Sequence, residues 1–264
     1  VDVSLSCRNI TYAYNDFPVL HGVDIDVPTG SFCALLGRNG SGKTTLLHCL
    51  CGILNPEKGY IQVNGKTLPP GDNAARARAL SLVPQQTEQA FAFSVLEMVI
   101  MGRNPYLQGF KQPGLEDEQA ARKALELVGA QHLAHRRVNQ ISGGERQLTI
   151  VARALAQQAP VMLLDEPSNH LDFHNQYRLL YKIRDLCQNQ GLTVLASMHN
   201  PNVVAAMADR VVLLDAGKVP ARGTVEEIMT RENLSNLYKM PVIESRLAGN
   251  IKHFTPVIGS LDKG

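Results

Sequence analysis

Short apolar or alternating stretches dominate the opening of the chain. They fall at residues 5–12, 23–27, 31–36, 60–63 and 80–83. Turn formers separate them: Pro28-Thr29-Gly30, Asn55-Pro56-Glu57-Lys58-Gly59 and Asn64-Gly65. Runs this short with such boundaries predict strands. From residue 94 the period lengthens. Residues 94–102 and 116–128 predict helices, the second with acids at its start and apolar positions 120, 121, 124, 125 and 128. Between them Arg103-Asn104-Pro105-Tyr106, Gly109 and Pro113-Gly114 read as loop. Helices at 146–156, 175–187 and 203–208 then alternate with strands at 161–164, 192–196 and 211–214. That alternation predicts a parallel sheet covered on both faces. After Gly223 the pattern reads as short helices and an irregular end.

A chain of 264 residues with 44% apolar content is one large domain, or a domain carrying an inserted subdomain. Lys and Arg number 26 against 24 Asp and Glu, a balance that gives no sign of a nucleic-acid or membrane-surface patch. No apolar run is long enough to span a bilayer. Residues 1–4 do not open a basic-then-apolar leader. The five cysteines (7, 33, 49, 51 and 187) sit mostly in apolar runs, so free buried thiols in a reducing, cytoplasmic compartment are expected.

The chemistry begins at Gly37-Arg38-Asn39-Gly40-Ser41-Gly42-Lys43-Thr44, a G-x-x-x-x-G-K-[ST] loop between the apolar stretch 31–36 and a helical pattern from Thr45. A nucleoside triphosphate is densely anionic, and a glycine-rich loop brings several backbone N–H groups close to it. Lys43 can reach the β- and γ-phosphates, Thr44 can ligate Mg²⁺, and the helix N-terminus faces the same charge. At residues 161–164 four apolar residues close on Asp165 and Glu166. The carboxyl end of such a strand is where open α/β sheets place ligands. Asp165 can hold Mg²⁺ or its water, and Glu166 can polarise a water for attack on the γ-phosphate. Residues Ser142-Gly143-Gly144-Glu145 form a capping box at a helix start. Capping accounts for Ser142 and Glu145 but not for two consecutive glycines, which weaken a helix and open its N-terminus to an anion.

Together these motifs resemble the ATP-binding subunit of ABC transporters over about residues 3–240. Residues 37–44 look like the Walker A loop with Thr45 beside it, Asp165-Glu166 like Walker B, and residues 142–145 like the signature, where Glu145 replaces the usual Gln and Ile141 the usual Leu. Tyr14 matches the aromatic that stacks on adenine, Gln85 or Gln86 the Q-loop residue at Mg²⁺, Ser168 to Asp172 the D-loop, and His199 the switch histidine. Asn200-Pro201 stands where the family often has Asp. The resemblance implies a P-loop NTPase α/β cassette with a mostly parallel core sheet. It adds an N-terminal antiparallel β subdomain and a helical subdomain inserted at about 86–145. The tail 241–264 would be either a small docking element or a frayed end.

The resemblance further implies ATP and Mg²⁺, and a second copy whose residues 142–145 cap the nucleotide in trans. It also implies two permease subunits and a periplasmic or surface binding protein at the cytoplasmic face of a bacterial or archaeal membrane, and no nucleic acid. Residues 86–113 would meet the permease, with Phe91, Phe93, Met98 and Met101 as contacts unless the methionines serve the core. Met101-Gly102-Arg103-Asn104-Pro105-Tyr106 resembles a segment of metal-chelate importer ATPases, the iron-siderophore, haem, cobalamin and related oxyanion systems. An exporter or lipid-extraction ATPase, or a soluble ABC protein, is the alternative.

Overall fold

A computed structural model describes residues 2–85, 93–107, 111–167 and 171–257. Strands β1 (Val3–Tyr14) and β2 (Phe17–Pro28) are followed by β3 (Phe32–Leu36) and α1 (Lys43–Cys51). Next come β4 (Lys58–Val63), β5 (Lys66–Thr67), α2 (Asn73–Ala79) and β6 (Leu80–Val83). The helical segment holds α3 (Val95–Ile100), a 3₁₀ turn (Met101–Tyr106), α4 (Leu115–Leu127) and α5 (Gly143–Ala156). Then follow β7 (Val161–Asp165), α6 (Phe173–Gln190), β8 (Thr193–Met198), α7 (Pro201–Met207), β9 (Arg210–Leu213) and β10 (Arg222–Thr224). The chain closes with α8 (Val225–Ile228), α9 (Arg231–Tyr238) and the strands β11 (Val242–Arg246) and β12 (Lys252–Pro256).

Two main sheets result. The first is antiparallel in the order β2-β1-β4-β5; the second runs β10-β9-β3-β8-β7-β6, with β10 alone antiparallel to its neighbour. Strands β3, β7 and β8 are buried along their whole length. Their side chains divide by parity, as a pleated strand requires. Phe32, Ala34, Leu36, Met162, Leu164, Val194 and Ala196 join the core built by the helical segment, α6 and α7. Cys33, Leu35, Val161, Leu163 and Leu195 join the core shared with α1 and the antiparallel sheet. The continuous apolar runs of the sequence therefore serve two cores at once. All five cysteines are free; Cys51 is half-buried and the other four are buried. Burial pushes the Cys7, Cys33, Cys49 and Cys187 thiols up to about 12.

Two expectations are corrected. Up to Val257 the end of the chain is not irregular: β11 and β12 form an antiparallel hairpin, with Lys252 and Phe254 buried against α8 and α7. Its alternation covers few positions per strand and falls below what periodicity resolves. Residues 103–106 are not loop but part of the 3₁₀ turn. Of the two readings left open for the methionines, Met98 takes the core one; Met101 is half-buried and Phe93 exposed. Phe91 and Gln86 lie outside the described residues.

The 3₁₀ turn is a clamp. A Cβ on Gly102 would strike the Arg153 carbonyl of α5, so only glycine allows this approach. Arg103 donates to Asp117 Oδ1 at 3.0 Å, to the Ala156 carbonyl at 3.0 Å and to Gln158 Oε1 at 2.8 Å. It also stacks 4.1 Å over the Tyr106 ring. Asp117, in the first turn of α4, in turn reaches back to the N-cap Gly114, accepting from its N–H at 3.0 Å. That N–H, with the Arg103 guanidinium, holds its carboxyl below the usual range. Arg103→Ala removes the guanidinium's three bonds and its stacking on Tyr106 while leaving the Gly114–Asp117 bond in place, and a loss of about 3 kcal/mol is expected. Chemical denaturation would read it, and an unchanged midpoint would show that the clamp is dispensable.

Candidate functional site

The site forms where three neighbouring parallel strands end. β3 leads into the glycine loop, β7 ends at Asp165 and continues into Glu166, and β8 leads to His199. This is the edge at which open α/β sheets bind ligands. The loop is held from below by backbone bonds, Leu214 N to the Leu36 carbonyl at 2.8 Å and Gly217 N to the Ser41 carbonyl at 3.0 Å. Its glycines have different duties. A Cβ at Gly37 would collide with the Leu214 carbonyl and the Ser41 hydroxyl. Gly40 and Gly42 instead adopt φ of 77° and 101°, the left-handed region. Gly42 is the N-cap of α1 and supplies no side-chain cap, so the first N–H groups of α1 remain available to an anion.

A cleft of about 520 Å³ opens above this loop, lined by Tyr14, Val19, Asn39, Gly40, Gly42, Lys43, Thr44, Thr45, Gln85, Glu166 and His199. Lys43 is buried, and its Nζ donates to the Gly37 carbonyl at 2.9 Å and the Arg38 carbonyl at 3.1 Å. Burial lowers its affinity for a proton, while the carboxylates of Glu166 and Asp165 act to restore it. Glu166 Oε1 lies 3.7 Å from Lys43 Nζ, and Oε2 lies 3.7 Å from His199 Nδ1. Gln85 Nε2 donates to the same Oε2 at 3.1 Å. Glu166 has φ of 47°, a sparsely populated conformation for a side chain-bearing residue. Such strain persists only where surrounding contacts enforce it. One of them is the Glu166 N–H, which donates to Ser197 Oγ at 2.9 Å.

Asp165 is fully buried and accepts from the Ser197 hydroxyl at 2.6 Å. Ser197 thus fixes both acids, and residue-by-residue reading missed it. Its signal was a polar residue inside the otherwise apolar stretch 194–198, placed by strand pairing directly beside Asp165. Tyr14 is exposed at the rim and meets Tyr12 edge-on at 4.9 Å. Arg38 is exposed at the loop's edge, outside the cleft lining. Ser41 Oγ is buried without a hydrogen-bond partner among the described residues, a polar atom that a bound phosphate would satisfy.

The oxygen donors also fit Mg²⁺. Thr44 and Gln85 line the cleft, and Asp165 lies buried at the carboxyl end of β7, next to the cleft residue Glu166. Hard oxygen ligands of this number suit Mg²⁺ when substrate phosphates complete the shell. No cluster of three or more His, Cys, Asp or Glu able to hold an ion occurs among the described residues, so a cage built from protein alone is not what these donors make.

Residues 142–145 are absent from the cleft lining. Ser142 caps α5, accepting from Glu145 N at 3.3 Å while its own N–H donates to Glu145 Oε2 at 2.8 Å. Those bonds hold the Glu145 carboxyl below the usual range. Since the cap uses only an acceptor oxygen, Glu serves it as Gln would. A Cβ on Gly143 would meet open space, and one on Gly144 only ordinary contacts. The glycines therefore answer no packing demand among the described residues. Asp172 is the N-cap of α6, accepting from Asn175 N at 2.7 Å; Ser168 lies outside the described residues. The Asn200-Pro201 departure is a helix start: Asn200 caps α7 through Asn202 N at 2.9 Å, and Pro201 takes the first helical position.

The ABC transporter family profile matches residues 20–169. The chain is 36% identical over 239 residues to a probable iron chelatin transport ATP-binding protein of Helicobacter pylori, covering 90% of this chain and 94% of that one. It is also 36% identical over 264 residues to the molybdate import ATP-binding protein MolC of Haemophilus influenzae, covering 98% and 99%. Among solved structures it superposes on a metal-chelate type ABC transporter in an inward-facing conformation, with a TM-score of 0.86 and 36% identity over 99% of this chain and 100% of that one.

Proposed function

The chain belongs to the ABC transporter family as an ATP-binding cassette and ATPase, and on that premise we propose that it drives import of a metal chelate or related small solute through a partner permease. The observation that carries the import reading is its 36% identity across nearly full length to a molybdate import ATP-binding protein and, over 90% of the chain, to a probable iron chelatin transport ATP-binding protein. The Met101–Tyr106 turn, which resembles the same subgroup, agrees with it.

In this reading Tyr14 stacks on adenine, and residues 37–45 wrap the phosphates, with Lys43 leaving its own loop carbonyls to pair with them. Thr44, Gln85 and Asp165 would hold Mg²⁺, whose chemistry there is to neutralise phosphate charge. Glu166 takes the proton of the attacking water as general base. Gln85 and His199, both beside its Oε2, orient that water and the γ-phosphate. Ser142, Gly143, Gly144 and Glu145 sit outside the cleft of their own chain. They cap the nucleotide of a second copy, in a two-fold interface joined by Ser168 and Asp172. ATP favours the closed dimer by binding it better, and hydrolysis releases it.

Among the described residues no helix is long and apolar enough to cross a membrane, so transport requires a spanning partner. We place the chain at the cytoplasmic face of a bacterial or archaeal membrane, bound to two permease subunits that take cargo from a periplasmic or surface binding protein. Affinity capture of tagged chain from detergent-solubilised native membranes tests this. The expected result is co-purification of a polytopic permease encoded beside a solute-binding protein. Recovery of soluble partners alone would overturn the transport assignment and leave the ATPase intact.

A further inference from the structure

His199 sits between the end of β8 and Asn200, the N-cap of α7. The C-terminal unit grips this junction twice. Tyr238, the last residue of α9, donates its hydroxyl to the His199 carbonyl at 2.8 Å. Asn202, in the first turn of α7, pairs with the edge of β12: its Nδ2 donates to the Phe254 carbonyl at 3.1 Å and its Oδ1 accepts from Phe254 N at 2.7 Å. The amide side chain thereby stands in for one more strand residue. Phe254 is buried beneath it.

The hairpin is itself anchored. Lys252, buried, donates to the Glu226 carbonyl at 2.8 Å and the Met229 carbonyl at 2.9 Å at the end of α8. Its charge is met by Glu226 Oε1 at 3.5 Å and Glu244 Oε1 at 3.7 Å. Between the hairpin and α7 lies a cavity of about 350 Å³, lined by His199, Pro201, Leu234, Tyr238, Val242 and Phe254 among others. Packing across this cavity is incomplete, so the polar ties carry much of the coupling. The other side of His199 faces the chemistry, its Nδ1 3.7 Å from Glu166 Oε2.

We infer that the C-terminal unit is a positioning element for hydrolysis, in which Tyr238 and Asn202 hold the His199 junction at the height where its imidazole meets Glu166 and the γ-phosphate. This rests on the proposed role of His199. Neither residue lines the nucleotide cleft, so loosening them alters the geometry of the chemical step without altering ground-state binding of ATP. In kinetic terms kcat falls while KM for ATP stays put.

The test measures turnover per titrated nucleotide site in Tyr238→Phe, Asn202→Ala and His199→Ala, using full-length chain. Counting sites removes any misfolded fraction from kcat. Losing one or two neutral hydrogen bonds at a reacting junction predicts a drop of about 3–10-fold in kcat for each of the first two. KM is expected to remain within about twofold. His199→Ala is expected to lose roughly 100-fold. In the His199→Ala background, Tyr238→Phe has no further effect, because the group it positions is gone. Wild-type kcat in both Tyr238→Phe and Asn202→Ala beside an inactive His199→Ala overturns this inference alone. A KM rise matching the kcat loss also overturns it, since Tyr238 would then shape the binding cleft. Near-normal turnover in His199→Ala would instead sink the role of the histidine itself.

Discussion

A Lys43→Ala chain is expected to fold and to hydrolyse no ATP above background. Lys43 is the buried cation of the cleft and lies within ion-pair distance of Glu166. Its ammonium is shared between two loop carbonyls, Gly37 and Arg38, bonds that are readily exchanged for phosphate oxygens. In a water-poor site a charge aimed at developing negative charge has far more effect than in solvent. Removing one such group costs about 10²–10³ in rate where it is one donor among several. A loop lysine that also anchors the ground-state phosphates should lose at least that. A steady-state phosphate-release assay reads the turnover, and a thermal melt confirms that the chain is folded. Turnover within tenfold of wild type would remove Lys43 from the mechanism.

The second large effect is expected from Glu166→Gln. The amide keeps the size of the side chain and an oxygen able to accept from Gln85, which donates to Oε2 at 3.1 Å. Ser197 still holds the backbone N–H in the strained φ of 47°. What the substitution removes is the negative charge and the ability to take a proton from water. A general base contributes about 10²–10⁴ in rate, so turnover should fall by that factor while ATP binding persists. Removing a carboxylate beside Lys43 and the phosphates also relieves repulsion, so ATP should hold the two-copy state longer. Size-exclusion chromatography with ATP and Mg²⁺ should then give a dimer for Glu166→Gln under conditions where wild type turns over and separates. A variant hydrolysing at the wild-type rate would show that Glu166 is not the base.

Both substituted residues were legible in local sequence. Lys43 was readable because its neighbours in sequence are its neighbours in space: a glycine loop contacts itself, and its spacing is its geometry. The same holds for the Ser142–Glu145 capping box and for the Asp165-Glu166 pair closing an apolar strand. Parity along β3, β7 and β8 was also implicit, since a strand buried on both faces must be apolar at every position. The short hairpin at the end of the chain was not readable, because its strands pair only with each other and depend on Lys252 and Phe254 finding α8 and α7.

By itself, then, the sequence determined the class of the sheet, the phosphate loop, the acids at the end of β7 and the family, because each depends on local pattern or on residue order. Tertiary structure decided which groups act together. Ser197 reaches Asp165 across 32 positions, and Tyr238 reaches the His199 carbonyl across 39. Tertiary structure also sent Met98 to the core, and turned Met101–Tyr106 into a clamp through Arg153 and Ala156. It set residues 142–145 outside the cleft that Tyr14, the phosphate loop, Gln85, Glu166 and His199 share. The reason is physical: a hydrogen bond or a packed contact between distant segments leaves no periodicity in either. Only the folding of the sheet brings the two partners within reach of each other.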